Sequence, residues 1–230
     1  MSKLSSFFKD FVHIFFPKIC VTCGDELLSH EDMLCSLCLY HLPLTDFHRD
    51  SENETARQLW GKLDCRHAMS MLYLAKSSRV EQLLYKLKYG HHPEIGVFFG
   101  EYYGKILQNA AVLDRVDIIL PVPLHKSKLR KRGYNQSSQF AKGLSKASAL
   151  PWADDILIRT AATVSQTTKS RTERYENVEG VFTLKEAEAV QDKHVLLVDD
   201  VLTTGATICA VGNLFIEAGA TVSVATIARA

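Results

Sequence analysis

The stretch Val195 to Thr207 reads VLLVDDVLTTGAT, and it decides which fold the chain can adopt. Its unbroken apolar run predicts a strand that is buried on both faces, as in a parallel sheet covered by helices. Two adjacent carboxylates, Asp199 and Asp200, follow the run, and small and hydroxylated residues then open a helix. This order indicates an α/β protein with a ligand site beyond the carboxyl end of the strand.

Apolar segments alternate with helical patterns on both sides of this stretch. Because a parallel strand needs a crossover before the next one, the alternation predicts an α/β fold with a parallel sheet flanked by helices. The connections after Leu120, Arg159 and Val198 should then converge on one site. The predicted strands are 69–75, 116–120, 156–159, 195–198 and 221–228, and the clearest predicted helices are 94–109, 137–147 and 207–218.

The segment after the acidic pair is suited to bind phosphate. Its sequence, Leu202-Thr203-Thr204-Gly205-Ala206-Thr207, combines hydroxyl donors with small residues that let backbone N–H groups approach an anion at a helix start. Ionised Asp199 and Asp200 only accept hydrogen bonds, so the ligand must present donors at that end. A ribose 5-phosphate meets both requirements, because its phosphate can lie in the segment while its vicinal hydroxyls donate to the carboxylates.

Other interpretations of the acidic pair have to be weighed. An apolar strand that ends in two aspartates also resembles a Walker B element, but the G-x-x-x-x-G-K-[ST] loop that such a site requires is absent from the sequence. The dinucleotide fingerprint G-x-G-x-x-G is absent as well. The remaining alternative is that the aspartates only cap the helix and the segment binds nothing.

A basic segment follows the predicted strand that ends at Leu120. A ligand with several negative charges, such as a pyrophosphate group, requires such a concentration of cations. A solvated surface loop would tolerate the same charges, and the sequence leaves this alternative open. The cations of the segment are Lys126, Lys128, Arg130, Lys131 and Arg132.

Four of the six cysteines form two C-x-x-C pairs near the start of the chain. Cys20 and Cys23 form the first pair, and Cys35 and Cys38 form the second. The two-residue spacer lets both thiolates of a pair turn toward one point, so the two pairs predict a closed site for structural Zn2+. Two disulfides or four reduced core cysteines are the alternative, which fits a cytoplasmic chain poorly.

Composition and the N-terminal segment indicate a soluble protein of the cytoplasm. The chain has 27 lysines and arginines against 26 acids, a net charge of +1, so no global field draws it to nucleic acid or membrane. Charged residues interrupt the phenylalanine-rich residues 1–17, for which we expect a short helix packed on the body rather than a signal peptide or a membrane anchor. The polar run 45–63 is expected to be a linker or an irregular loop.

Several ordered motifs together resemble the ComF family of competence proteins, including its GntX-like members. The stretch VLLVDDVLTTGAT by itself is similar to the phosphoribosyl-diphosphate signature of type I phosphoribosyltransferases. Before it the chain carries FFPKICVTCG with a second C-x-x-C, then LLYKLKYG, PVPLHKSKLRKRGYNQ and RTERYENVEGVF. The resemblance implies a phosphoribosyltransferase-type sheet with a small N-terminal zinc module. We expect the module at 1–62, hood elements at 63–112 and the core at 113–230.

The resemblance also implies roles for individual residues. Asp199 and Asp200 would bind the ribose of phosphoribosyl diphosphate together with Mg2+, and the segment Val201 to Thr207 would bind the 5-phosphate. The pyrophosphate would lie against the basic segment, with Lys126, Lys128, Arg130 and Arg132 as its contacts. In the long polar connection 164–181, Arg171 or Arg174 would neutralise the departing pyrophosphate.

Two functions from different classes fit these residues, and a third class is conceivable. The resemblance implies a role in DNA uptake during natural transformation, with single-stranded DNA and a DNA-import helicase as partners. Tyr134, beside the basic segment, could offer a face for base stacking. The alternative is an active phosphoribosyltransferase of nucleotide metabolism with an unidentified acceptor. A purely structural zinc scaffold would tolerate replacement of Asp199 and Asp200.

Overall fold

Four parallel strands form the central sheet in the computed structural model, which describes residues 17–159 and 181–230. The strand order in the sheet is β1-β6-β5-β2, and β3 and β4 form a separate antiparallel ribbon. The strands in chain order are β1 (Ala68–Tyr73), β2 (Ile118–Pro121), β3 (Leu157–Arg159), β4 (Phe182–Leu184), β5 (His194–Leu202) and β6 (Thr221–Arg229).

Helices cover both faces of this sheet. Short 3-10 helices lie at Phe47–Arg49 and Ala187–Ala189. No helix in the described ranges combines the length and the apolar character that crossing a bilayer requires. The α-helices are α1 (Ser36–Tyr40), α2 (Glu54–Leu59), α3 (Arg79–Tyr89), α4 (Glu94–Asn109), α5 (Lys126–Arg132), α6 (Gln136–Ser148) and α7 (Ala206–Glu217).

The predicted α/β order is confirmed, with two corrections to the strands. The segment 156–159 does not join the parallel sheet, because β3 pairs antiparallel with β4 across the residues that lie outside the described ranges. The strand predicted at 195–198 continues to Leu202, because β6 extends alongside it and pairs Asp199 with Thr226 and Val201 with Ala228. The acidic pair therefore lies within a strand and not after it.

The polar run 45–63 is part of the packed body, so its prediction as a linker is wrong. Asn53 is 4% exposed and caps α2, because its side-chain oxygen accepts from the backbone N–H groups of Thr55 and Ala56. Its amide donates to the carbonyl of Ala68 at the start of β1. The hydroxyl of Thr55 bonds to Ser70 on β1, which in turn bonds to Thr226 on β6. This buried polar chain attaches α2 to the sheet.

Alternate residues of β5 contribute to two hydrophobic clusters, one on each face of the sheet. Leu196 and Val198 belong to the cluster with α4 and α6, whereas Val195 and Leu197 belong to the cluster with α7. The first cluster also includes Cys20 and other apolar residues of the N-terminal module. The module thus shares a core with the rest of the protein, and its boundary near residue 62 stays a prediction.

The glycine spacing in helix α4 allows it to pack closely against α6. A Cβ on Gly100 would lie 2.3 Å from the carbonyl oxygen of Phe140, and one on Gly143 would lie 2.1 Å from the carbonyl oxygen of Val97. Both neighbours are backbone atoms, so neither can move without displacing a helix. Glycine at these positions therefore allows the two helix backbones to touch.

We expect Gly100→Ala to destabilise the protein by roughly 3 kcal/mol, because the added methyl group forces the two helices apart. Urea denaturation followed by circular dichroism measures this loss. Gln108→Ala, at an exposed position of the same helix, is the matched control and should change stability by less than about 0.5 kcal/mol. Equal stability of the two variants would contradict the assigned packing.

Candidate functional site

A cavity of about 170 Å3 lies at the carboxyl ends of β2 and β5. The residues after β2, Arg159 at the end of β3 and the acidic pair of β5 all line it, so these three strand ends converge as predicted, while the connection after Arg159 lies outside the described residues. Carboxyl ends of parallel strands are where open α/β sheets bind ligands. Its polar and charged lining consists of Lys88, Lys128, Arg132, Asn135, Gln136, Ser137, Arg159, Asp199, Asp200 and Thr207.

Asp199 is held by two hydrogen bonds to one carboxylate oxygen. The hydroxyl of Ser137 donates to its Oδ1 at 2.7 Å, and the backbone N–H of Asp200 donates to the same atom at 2.8 Å. Burial and the adjacent Asp200 carboxylate raise the pKa of Asp199 to about 7, although both hydrogen bonds and the charge of Lys88 lower it. A bound group that donates to Asp199 would favour its ionised form.

Asp200 forms an ion pair with Lys88, the next to last residue of α3. The distance between Lys88 Nζ and Asp200 Oδ2 is 3.0 Å, and the two side chains are 24% and 15% exposed. A second lysine, Lys86, lies two residues earlier on the same helix. The structure separates them, because Lys86 donates to the carbonyl of Val21 in the cysteine module. Lys88 is a site residue that helical periodicity by itself does not reveal.

The segment predicted to bind phosphate is a tight turn between β5 and α7. Gly205 adopts a positive φ of 80° directly before the helix, a conformation that glycine favours. A Cβ on Gly205 would lie 2.8 Å from Leu59 Cδ2, and the side chain of Gln58 donates to the carbonyl of Thr203. Helix α2 therefore packs against the turn and stabilises its conformation.

The members of this segment differ in how they could contact a ligand. Thr203 and Thr204 are exposed, and Thr207 lines the cavity. The Leu202 side chain is 1% exposed and packs in the cluster with α7, while Val201 packs against the opposite cluster. Only the backbone atoms of Val201 and Leu202 are thus suited to meet a ligand, whereas Thr203 to Thr207 also offer hydroxyls and the N-terminus of α7.

The basic segment after β2 is a helix, α5, and not an extended loop. The Nδ1 atom of His125 caps it by accepting from the backbone N–H of Ser127. Residues four apart share a helix face, so Lys128 and Arg132 both reach the cavity. Lys126 and Arg130 lie about half a turn away and do not line it. The structure therefore brings two of the four predicted pyrophosphate contacts to the acidic pair.

Arg159 is a further cation of the cavity that sequence reasoning missed. Its guanidinium lies 5.2 Å from the ring centroid of Phe182, across the ribbon of β3 and β4. The Nε atom of Arg159 is buried and has no hydrogen-bond partner within the described ranges. Its position at the end of a predicted strand was the one indication in the sequence that Arg159 belongs to the site. A single arginine at a strand end does not differ in sequence from an ordinary surface arginine.

Two expectations about neighbouring residues have different outcomes. Tyr134 does not offer a free stacking face, because it is partly buried and its hydroxyl donates to the carbonyl of Leu87 at 2.6 Å. Arg171 and Arg174, with the connection 164–180, lie outside the described residues, so their roles stay predictions.

A larger cavity of about 550 Å3 lies near the amino ends of β1 and β6. Trp60, Lys62, Asp64 and Arg66 are among its lining residues, and Arg66 N–H donates to the carbonyl of Val222 near the start of β6. Its volume is larger than that of the cavity beside Asp199, but it lacks the adjacent carboxylates and the N-terminus of α7. Volume alone therefore does not identify the candidate site.

The four cysteines of the N-terminal module meet at one point. Their sulfur atoms all lie within 4.8 Å of one another, and the sulfurs of Cys23 and Cys35 are 3.7 Å apart. A tetrahedral Zn2+ with Zn–S bonds of about 2.3 Å separates its sulfur ligands by about 3.8 Å. All four cysteines are free thiols in the structure, so the disulfide alternative is not adopted.

Backbone N–H groups donate to two of the four sulfur atoms and favour the thiolate of Cys20, whereas burial and the neighbouring Cys35 thiol raise the pKa of Cys38 to about 11. The N–H of Cys35 donates to Cys20 Sγ at 3.4 Å, and the N–H of Cys38 donates to Cys35 Sγ at 3.4 Å. Burial raises the pKa of Cys20, but backbone hydrogen bonds outweigh it and lower the value to about 6. The donor set and its spacing fit Zn2+, which would hold the module together without an open coordination position.

The comparisons with known proteins agree with this geometry. A model of the phosphoribosyl transferase domain family matches residues 129–230. The DNA utilization protein YhgH of Escherichia coli O157:H7 is 36% identical over 104 residues, which is 45% of this chain and 45% of that protein. The match thus spans less than half the length of that relative.

Two further similarities extend over more of the chain. The competence protein ComFC of Bacillus subtilis strain 168 is 27% identical over 209 residues, which covers 91% of this chain and 82% of that protein. The glutamine phosphoribosylpyrophosphate amidotransferase of B. subtilis is 23% identical over 62% of this chain and 30% of its own, with a TM-score of 0.43. The resemblance to competence proteins of the ComF type is confirmed.

We expect the purified protein to contain about one Zn2+ per chain and Cys38→Ser to lose it, because three thiolates leave the tetrahedral site open. Metal analysis by mass spectrometry measures the content, and a strong chelator should lower the midpoint of thermal unfolding. Cys209→Ser, outside the cluster, is the control and should retain the metal. Equal zinc content in both variants would contradict the assignment.

The raised pKa of Asp199 predicts a pH dependence of stability. Between the unfolded pKa of about 4 and the folded pKa of about 7, the folded state binds the proton more tightly, so the free energy of unfolding falls as pH rises. In the wild type the free energy of unfolding should fall by up to roughly 1 kcal/mol per pH unit, and Asp199→Asn should abolish this fall. Denaturation between pH 5.5 and 8 measures the difference between wild type and variant, with the exposed Asp64→Asn as control. Parallel curves for all three proteins would disprove the assigned shift.

Proposed function

Because the chain contains a phosphoribosyl transferase domain and resembles ComF-type competence proteins, we propose that it binds phosphoribosyl diphosphate with Mg2+ and acts in DNA uptake. One observation carries the ligand assignment. The cavity combines an adjacent carboxylate pair with four cationic side chains at the start of a helix, and phosphoribosyl diphosphate presents a diol between two phosphate groups. The four cations are Lys88, Lys128, Arg132 and Arg159.

The charges of the cavity lining favour one orientation of the proposed ligand. Its ribose diol would donate to Asp199 and Asp200, and its 5-phosphate would accept hydrogen bonds from the turn before α7. The pyrophosphate would lie against Lys128 and Arg132 on the inner face of α5. Mg2+ prefers such hard oxygen ligands and, when bound, would offset the charge between diol and pyrophosphate.

Lys88 has a specific place in this proposal. It neutralises Asp200 at 3.0 Å, which lowers the repulsion between the two adjacent carboxylates. A diol that donates to Asp200 would compete with this contact, and the Lys88 ammonium would then be available to a phosphate oxygen.

The alternative function is a phosphoribosyltransferase that transfers the phosphoribosyl group to an unidentified acceptor and releases pyrophosphate. The same cavity favours it, because cations around the leaving group would stabilise the charge that develops there. Asp199 and Asp200 would then hold the ribose during C1 bond cleavage, and Arg171 or Arg174 would assist the departing pyrophosphate. Release of pyrophosphate in the presence of an acceptor distinguishes this enzyme from a binding protein.

The cellular role follows from the relatives and not from the cavity. The names of the similar proteins refer to competence and to DNA utilization. We extend this role to the present chain, with single-stranded DNA and a DNA-import helicase as partners in the cytoplasm. The near-zero net charge of +1 implies that DNA contacts depend on local basic surfaces.

Calorimetric titration of phosphoribosyl diphosphate into the zinc-loaded protein with Mg2+ tests the ligand assignment. We expect binding by the wild type and a loss of at least about 100-fold in affinity for the double variant Asp199→Asn, Asp200→Asn, because hydrogen bonds to ionised groups contribute roughly 1.5–3 kcal/mol each. The exposed Asp114→Asn is the matched control. Undetectable binding by the wild type would refute the proposal, as would unchanged binding by the double variant.

A further inference from the structure

Helix α3 presents an exposed aromatic pair beside the cavity. Its buried face consists of apolar residues, whereas Tyr85 and Tyr89 are 63% and 50% exposed. Their ring centroids are 5.0 Å apart at an interplanar angle of 46°. Lys88 lies directly before Tyr89 and reaches Asp200, so this aromatic face borders the candidate site. Two adjoining exposed rings differ from the single exposed apolar residues that are common on protein surfaces.

Arg132 connects the aromatic pair to the cavity. Its guanidinium lies 5.0 Å from the ring centroid of Tyr89, Nη2 donates to the Tyr89 hydroxyl at 3.3 Å, and Nη1 donates to Gln136 Oε1 at 2.7 Å. The same side chain lines the cavity. Among the described residues no carboxylate pairs with Arg132, so its charge is available to an anion.

The outer face of α5 adds a basic surface to this edge of the cavity. Lys126 and Arg130 lie four residues apart on the face that does not line the cavity, and the helix contains no acidic residue. Seven helical residues span about 10 Å. These cations are not needed for a ligand inside the cavity, which leaves them without a role in the proposed phosphoribosyl diphosphate site.

We propose that Tyr85, Tyr89 and Arg132 form a base-stacking platform for single-stranded nucleic acid, whose phosphates lie against Lys126 and Arg130. Base–aromatic stacking combined with a basic track is how proteins hold single strands without reading their sequence. The charge complementarity of α5 selects a polynucleotide rather than a free base as the occupant. The inference rests on the proposed function for the identity of the partner class, and it assigns the surface that this partner contacts.

The platform places a base next to the ligand of the cavity. A base stacked on Tyr89 lies against Arg132, and Arg132 is also one of the proposed pyrophosphate contacts. Occupation of the cavity should therefore change the affinity for the single strand, and the single strand should change the affinity for phosphoribosyl diphosphate by the same factor.

The test compares the affinity of tyrosine variants for a fluorescein-labelled oligothymidylate by fluorescence anisotropy, using the full zinc-loaded chain. Loss of one stacking contact should weaken binding roughly 5- to 100-fold in Tyr89→Ala, while Tyr89→Phe should retain most of it. Trp60→Ala is the matched control, because Trp60 is 54% exposed and has Arg57 above its ring at 5.9 Å. Trp60 does not line the candidate cavity beside Asp199. Equal affinities of Tyr89→Ala and Trp60→Ala would overturn the platform.

Two further arms separate stacking from charge. On an abasic oligomer of equal length, wild type and Tyr89→Ala should bind alike, since the backbone charges are unchanged; a persisting difference would overturn the stacking role. Lys126→Ala with Arg130→Ala should lower the slope of log affinity against log salt by roughly 1 to 2. An unchanged slope would remove α5 from the proposed surface.

A parallel calorimetric titration keeps this inference distinguishable from the proposed function. Tyr85→Ala should bind phosphoribosyl diphosphate as the wild type does and should lose affinity for the oligothymidylate. Tyrosine-dependent strand binding without any phosphoribosyl diphosphate binding by the wild type would refute the proposed ligand and support the platform. Phosphoribosyl diphosphate binding by the wild type, together with strand binding that the tyrosine variants leave unchanged, would support the proposed ligand and refute the platform.

Discussion

The pairing of β5 with β6 beyond Val198 is the constraint on which the site depends. Backbone hydrogen bonds continue opposite Thr226 and Ala228, so the acidic pair is held in a strand and partly buried. Rigid placement costs electrostatic free energy, because Asp199 and Asp200 are adjacent and shielded from water. Ser137 from α6 and Lys88 from α3 offset this cost by a hydrogen bond and an ion pair.

The segment that precedes the sheet supports this arrangement from two sides. Leu59 of α2 packs beneath Gly205, and the buried chain of Thr55, Ser70 and Thr226 attaches the same helix to β1 and β6. On the opposite face, the cysteine module shares a hydrophobic cluster with α3 and α4. Loss of metal from the module would therefore disturb the packing of α3, the helix that carries Lys88, because both belong to one packed core.

The cationic side chains of the short helix α5 lie on two different faces. One face, with Lys128 and Arg132, contributes to the cavity, and the other, with Lys126 and Arg130, points away from it. A helix makes this division possible, since residues two apart face in different directions while residues four apart face alike. The same helix therefore contributes to both proposed surfaces, the one for a phosphorylated ligand and the one for a polyanion, and Arg132 connects the two through its contact with Tyr89.

The sequence by itself determined the α/β order, the acidic pair before the turn that opens α7 and the four-cysteine cluster, because hydrophobic period, small-residue runs and C-x-x-C spacing are local properties. Only the tertiary structure decided that β3 leaves the parallel sheet, that β5 extends past Asp200, and that Lys88, Ser137 and Arg159 complete the cavity. These features arise from pairing and packing between segments far apart in the chain, for which no local pattern exists. Tyr134 and Tyr89 illustrate the reason, since burial against distant residues, and not residue type, determined which ring stayed exposed.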